Sequence, residues 1–325
     1  MTHNGFILSY QVATVEWDGR KISKIPETDI DRILDLMQNC GIDLVMLSGY
    51  HLEEESSFDI DAESKRIGTG LASRGMKVSQ HHSLCPTYAP LDTVQDEAID
   101  HLRSCIDFTA NLGAEVMVLH PGRATGHYAA VQELIDAWQR ECKLHGRDSV
   151  MACCADNLRI AGEYARSRGV KIALENVDRF EPFGNITDLP ALVEMTGSPA
   201  VGYCLDSGHA HCCGNDVTKW IEIMGSRLFT THFHDNRGQN NLARNSEGFL
   251  SPVGIDEHLP PGFGTIPWID VIDALRRAGY TSPVTFESGG WPGMKPEEGL
   301  KAAIAYWRTC EYLSEAKLRK GSAVG

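Results

Sequence analysis

The chain has 325 residues, 42% hydrophobic and 23% charged, the balance of an ordinary soluble globular protein. Its net charge of −14 offers no general attraction to a phosphate backbone or an anionic membrane, and no apolar run reaches the length of a membrane span. Ten cysteines are too sparse for a disulfide scaffold, so packed thiols in a reducing, cytoplasmic setting are expected.

Met1-Thr2-His3-Asn4-Gly5 leads straight into a strand, Phe6-Ile7-Leu8-Ser9-Tyr10, rather than into the basic-then-apolar pattern of a signal peptide. A helix follows over 29–40, where Ile30, Ile33, Leu34 and Met37 share one face and Gly41 stands just past the end. A strand at 43–48, a helix near 62–73, a strand at 76–82 and a long helix over 94–112 come next. After the strand at 116–120, residues 128–168 hold two helical segments divided around Gly146. Four more strands are expected at 170–175, 201–206, 228–234 and 283–287, and a helix over 296–313 finishes the pattern. Pro260-Pro261-Gly262-Phe263-Gly264-Thr265-Ile266-Pro267-Trp268 reads as a rigid turn presenting a helix, with Pro267 in its first turn; covering a substrate is the other use of such a segment.

These are eight β-then-α units. Their strands are near-continuously apolar rather than alternating, as in an all-parallel sheet covered on both faces. The pattern fits a single (β/α)8 TIM barrel over residues 1–325, with its site where the carboxyl ends of the strands meet the following loops. A doubly wound open sheet is the alternative, but no G-x-G-x-x-G follows the first strand. Two βα connections are long, the one after His120 and the one over 236–264, as befits loops that carry specificity.

Nearly every strand ends on a polar residue of one kind. Strand three ends His81-His82, strand four His120-Pro121-Gly122 and strand five Glu175-Asn176. Strand six ends at Asp206, with His209 three residues on, and strand seven ends His232-Phe233-His234-Asp235. Asp256-Glu257-His258 lies in the following loop, and strand eight ends Glu287-Ser288-Gly289. Barrel closure would gather these residues into one pocket. Buried carboxylates and imidazoles are costly unless paired or metal-bound, so a divalent ion is the economical partner.

Glu175, Asp206, His232 and Glu287, from strands five to eight, can surround one ion. His232 and His234 share a face, so either could ligate, with His232 preferred. His81 and His82 must point to opposite sides of a regular strand, so one of the two faces the pocket. His209, His120 and His258 suit further metal binding or substrate hydroxyls, as does Asp256. Arg237 and Arg244, after strand seven, sit among Asn and Gln and suit a polyol. His3, His101, His127 and His145 fall on termini, helices or loops and read as solvated.

The chain resembles the xylose isomerase-like TIM barrel superfamily, which includes sugar phosphate isomerases and epimerases, ketose 3-epimerases, inosose dehydratases and endonuclease IV. The resemblance rests on His120-Pro121-Gly122, Leu174-Glu175-Asn176, Leu205-Asp206-Ser207-Gly208-His209, His232-Phe233-His234-Asp235-Asn236, Asp256-Glu257-His258, the 261–268 run and Phe286-Glu287-Ser288. The epimerase branch implies one Mn²⁺ on Glu175, Asp206, His232 and Glu287, with Mg²⁺, Co²⁺ or Zn²⁺ as alternatives. It also implies that the two glutamates shuttle a proton and that His209 binds a substrate oxygen. The endonuclease IV branch implies three zinc ions on His81 or His82, His120, Glu175, Asp206, His209, His232, Asp256, His258 and Glu287. Against the nuclease stand the acidic charge, the 260–268 run and the lack of a basic loop interleaved with aromatics.

The function expected is therefore metal-dependent isomerisation or epimerisation of a sugar, sugar phosphate or polyol, with Glu175 and Glu287 as acid and base. Dehydratase or lyase chemistry on a keto-sugar shares the same first step, including C-glycoside cleavage with a small partner subunit. The partner is a small carbohydrate, with neither nucleic acid nor membrane expected. Homo-oligomerisation is common in the family.

Overall fold

Apolar runs that the sequence leaves no polar face become strands buried on both sides. All four residues of Val116–Leu119 and all six of Val201–Asp206 are buried. The computed structural model describes residues 5–13, 15–17, 22–24, 27–48, 59–83, 85–126, 131–177, 182–238, 256–289 and 293–322. Within them the strands are β1 (Leu8–Ala13), β2 (Val15–Trp17), β3 (Ile22–Lys24), β4 (Leu44–Ser48), β5 (Lys77–Ser83), β6 (Val116–Leu119), β7 (Lys171–Glu175), β8 (Val201–Asp206), β9 (Leu228–His232) and β10 (Val284–Phe286). The helices are α1 (Glu27–Asn39), α2 (Ile60–Ser73), α3 (Asp96–Asn111), α4 (Val131–His145), α5 (Arg147–Ser167), α6 (Asp188–Thr196), α7 (Ser207–Cys212), α8 (Val217–Met224), α9 (Trp268–Arg277) and α10 (Pro296–Ser322).

Eight strands form one parallel sheet in the order β10-β1-β4-β5-β6-β7-β8-β9. The two edges meet through Phe233 and Phe286: Phe233 N donates to Thr285 O at 2.7 Å and Glu287 N to Phe233 O at 3.1 Å. The (β/α)8 barrel expected from the sequence is therefore the fold. The antiparallel β2–β3 hairpin between β1 and α1 is an addition that two three-residue strands gave no periodicity to announce. Pro267 stands at the N-cap of α9, immediately before its first residue Trp268. No helix among the described residues is long and apolar enough to cross a membrane.

Strand periodicity separates two cores. Met117, Leu119, Ile172, Leu174 and Leu205 point outward and pack under the helices, whereas Val116, Val118, Ala173 and Cys204 form a small cluster of their own. Continuing that inward parity by two residues reaches His120, Glu175 and Asp206. The same alternation that fills the barrel with small apolar side chains thus aims its polar strand ends at the axis.

The seam is held by aromatic packing because β10 is only three residues long. Phe233 lies 5.3 Å from Trp268 and 5.8 Å from Trp307, and Trp307 lies 5.6 Å from Phe286, all as ring centroids. Trp307→Ala, which empties the middle of this cluster, is expected to lower the unfolding free energy by about 3–5 kcal/mol. A denaturant melt with an unchanged midpoint would contradict the account of the seam.

Candidate metal centre

Strand register brings the acidic and imidazole side chains level. Glu175 is paired with Cys204 across β7 and β8, and Asp206 with His232 across β8 and β9. His232 Nδ1 lies 3.0 Å from Glu175 Oε2 and 2.7 Å from Glu287 Oε2. One ligand atom from each of Glu175, Asp206, His232 and Glu287 lies within 4.8 Å of all the others. Beyond these mutual contacts, Glu175 Oε2, His232 Nδ1 and Glu287 Oε2 are buried with no hydrogen-bond partner among the described residues. Three carboxylates and an imidazole with spare lone pairs at one point fit a divalent cation such as Mn²⁺, Mg²⁺ or Zn²⁺. Gln11 Nε2 donates to Glu287 Oε1 at 3.1 Å and fixes the carboxylate from its far side.

A second group lies beside the first. His209, His234, Asp256 and His258 also bring four ligand atoms within 4.8 Å of one another. The other ring nitrogens fix the orientation. His209 Nδ1 donates to Asn176 O at 3.0 Å and His258 Nδ1 to Glu287 O at 2.9 Å, since a carbonyl can only accept. His234 Nε2 donates to the Asp206 carboxylate at 3.0 Å. That leaves His209 Nε2 at 3.2 Å, His258 Nε2 at 2.9 Å and His234 Nδ1 at 3.6 Å from Asp256. Imidazoles tethered through one nitrogen and convergent through the other are what metal-binding histidines show, and this group too can take a proton or a cation.

The electrostatics agree. Burial acts to raise the Glu175 carboxyl, but the His232 and His120 imidazoles outweigh it and hold the group well below the usual carboxylate range. Glu287 is likewise pushed up by burial, yet His232 brings it down to about 2. Burial opposes charge on His232, but Cys204, Glu287 and Glu175 hold its imidazolium well above the ordinary value. Asp256 overcomes burial to push His258 up to about 10. His82, pressed down to about 3 mainly by burial, is neutral at physiological pH.

Of the residues singled out from the sequence, Glu175, Asp206, His232, Glu287, His82, His120, His209, His234, Asp256 and His258 are gathered here. His81 is not: its Nδ1 lies 2.9 Å from Thr109 Oγ1 on α3, and its ring packs on Phe108. Of the pair, His82 faces the barrel, 3.5 Å from Glu175. Arg237 is drawn to the surface carboxylate of Glu257 at 2.7 Å, rather than into the cluster. His101 lies on α3 and His145 on α4, where it approaches Glu141 at 3.8 Å. His3, His127 and Arg244 lie outside the described residues.

Sequence reasoning missed the residues that support the site. Asn176 Nδ2 donates to Asp206 O at 2.8 Å while its Oδ1 accepts from Asp206 N at 2.7 Å, tying two strand ends together. Asp235, fully buried, accepts from Asn236 N, Gly262 N, Ile266 N and Trp268 Nε1 at 2.8–3.1 Å, so the 260–268 run is pinned by one carboxylate. A Cβ at Gly264 would lie 2.3 Å from Asp235 Oδ1, which explains the glycine. Gly208 is as constrained, since a Cβ there would fall 1.8 Å from His234 Cε1. Gly208→Ala is expected to push His234 off Asp206 and to lower stability by about 1–3 kcal/mol, read by thermal melting. An unshifted melt would show that His234 is not held there.

Comparison with known proteins comes to the same architecture. A sequence model of the family described as xylose isomerase-like TIM barrel matches residues 34–310. The chain is 25% identical over 292 residues to an L-ribulose 3-epimerase of Mesorhizobium japonicum, covering 87% of this chain and 82% of that protein. It is 32% identical over 201 residues to a probable endonuclease 4 of Solibacter usitatus, covering 61% and 62%. Other curated relatives are matched over only 54% to 58% of their own length. In three dimensions the fold matches a solved L-ribulose 3-epimerase with a TM-score of 0.66 at 18% identity, covering 96% of this chain and 97% of the other.

Proposed function

Because the chain belongs to the xylose isomerase-like TIM barrel family, we propose that it is a divalent-metal-dependent sugar isomerase or epimerase. The reaction is transfer of a proton on a carbon next to the carbonyl of a sugar, sugar phosphate or polyol. One observation carries the reading: two glutamates, Glu175 and Glu287, flank His232 at 3.0 and 2.7 Å, with Asp206 within ligand distance of the same group. The likeness to sugar epimerases supports it.

Glu175, Asp206, His232 and Glu287 are the residues that would hold the ion, Mn²⁺ in the first instance and Mg²⁺, Co²⁺ or Zn²⁺ otherwise. When bound, the ion supplies Lewis acidity that polarises the substrate carbonyl and favours loss of the neighbouring proton. Glu287, kept ionised by His232 and oriented by Gln11, takes that proton. Glu175 returns one from the opposite side, to the other face of the same carbon or to the next carbon. His82, His120, His209, His234, Asp256 and His258 line the site and hold substrate oxygens, while Arg237 at the rim acts only if it leaves Glu257. Elimination shares the first step, so a dehydratase or lyase acting on a keto-sugar is the alternative outcome of the same machinery.

Wild-type protein with Mn²⁺ in D₂O is expected to exchange deuterium into the carbon beside the carbonyl of a keto-sugar, followed by loss of the proton signal. A panel of keto-sugars and oxidised glycosides showing no exchange would overturn the proposal.

A nuclease reading is favoured by one observation, the second group at His209, His234, Asp256 and His258, which adds acceptors for more than one ion. It requires cleavage of abasic DNA with steep salt dependence and three bound zinc ions per chain.

A further inference from the structure

The turn after β6 carries a side chain that bears on how His120 can be used. Arg123 Nη2 lies 2.8 Å from His120 Nδ1, an ordinary hydrogen-bond distance. A guanidinium has only donors and keeps its proton at any physiological pH, so Nδ1 must accept. A neutral imidazole that accepts at Nδ1 carries its hydrogen at Nε2. A second proton on Nδ1 would face the hydrogens of the guanidinium, beside a fixed positive charge.

The bond is built in by the backbone. Thr87 N and Thr87 Oγ1 donate to Arg123 O at 2.7 and 3.2 Å, and Gly122 N donates to Thr87 Oγ1 at 3.1 Å. Gly122 has φ of +75°, and a Cβ there would lie 2.4 Å from Pro182 Cβ, so the tight His120-Pro121-Gly122-Arg123 turn depends on glycine.

We propose that Arg123 is a positioning residue that makes His120 a hydrogen-bond donor at Nε2 instead of a metal ligand. His82, His120 and Glu175 bring three ligand atoms within 4.8 Å and would otherwise be a third ion site. With the hydrogen on Nε2, His120 has no lone pair there to offer a cation, and it points an N–H toward Glu175 Oε2, 3.6 Å away. This corner of the pocket is therefore fitted to an acceptor oxygen, such as the carbonyl or ionised hydroxyl of a sugar, and not to a third zinc. The neighbouring imidazoles differ in this respect: His209 and His258 are tethered at Nδ1 by carbonyls, so the proton each turns toward Asp256 at Nε2 is one that a cation can displace.

Use of that donor by a sugar oxygen rests on the proton-transfer reading, but the tautomer and the ion count do not, so they are measured without substrate. In ¹⁵N-histidine-labelled wild-type protein, long-range proton–nitrogen correlations are expected to show His120 as the Nε2–H tautomer, assigned with His120→Gln. Zinc-edge anomalous diffraction of wild-type crystals soaked in Zn²⁺ is expected to show no ion between His82, His120 and Glu175. Arg123→Met is expected to bind one Zn²⁺ more per chain than wild type, located there. An Nδ1–H tautomer, a wild-type ion at that position, or an unchanged zinc count in folded Arg123→Met protein would each overturn the assignment. Failure of deuterium exchange would leave these readouts untouched.

Discussion

Glu287→Gln is expected to abolish solvent deuterium exchange at the carbon beside the substrate carbonyl, a loss of about 10³-fold or more, equivalent to about 4 kcal/mol in the barrier. Glutamine keeps the volume of the side chain and can still meet Gln11, which bonds Glu287 Oε1 at 3.1 Å. What disappears is the base proposed for the proton transfer. The change also removes a negative charge from the group around His232, so metal content must be measured on the same preparation. With the ion retained and exchange lost, the proton path through Glu287 stands. With the ion retained and exchange also retained, Glu287 is a ligand and nothing more. Glu175→Gln separates the second half: exchange should survive in part while net turnover falls, because the proton leaves but is not redelivered.

The parts of this molecule that local sequence can specify were legible in it. Val116–Leu119 and Val201–Asp206 read as fully buried strands because they are apolar on both faces, and they are. The ring of strand-end carboxylates and imidazoles followed from counting strands and noting how each one stops. What escaped depends on partners far along the chain. His81 and His82 are neighbours of one type, and it is contacts such as those with Thr109 and Phe108, on a helix packed outside β5, that hold His81 turned away from the axis. Asp235 looked like one more polar strand end in an acidic, histidine-rich stretch, whereas its four donors come from the next residue, Asn236, and from residues about thirty positions on. Arg237 looked like a substrate group because Glu257, its partner, lies twenty residues away in an intervening loop. Arg123 gave no signal, since its effect on His120 arises from a tight turn fixed by Thr87 and Pro182.

The stabilisation gained from Mn²⁺ or Zn²⁺, relative to chelator-treated protein, is expected to grow as pH rises from 6 to 8. His232 has its imidazolium held well above the ordinary value of 6.5, so the stability from its pairing with Glu175 and Glu287 is complete below 6.5. That stability is lost as pH climbs through the raised folded-state value. Glu287 runs the other way: its folded value of about 2, against 4.5 ordinarily, gives stability that is present above 4.5 and fades as pH falls toward 2. Without an ion the group is therefore best held between about 4.5 and 6.5. Above that range the pairing weakens as His232 keeps a proton the unfolded chain has given up, and where the imidazole at last deprotonates Glu175, Asp206 and Glu287 face one another in a buried site. A divalent cation replaces the proton on His232 and supplies the charge the carboxylates then lack, so its binding releases protons and strengthens with pH. At free metal about a thousandfold above the dissociation constant, the gain is about 4 kcal/mol, and melting curves at pH 6 and pH 8 with metal or chelator measure it directly. A gain that is equal at the two pH values, or larger at pH 6, would mean that the ion does not compete with the His232 proton and binds elsewhere.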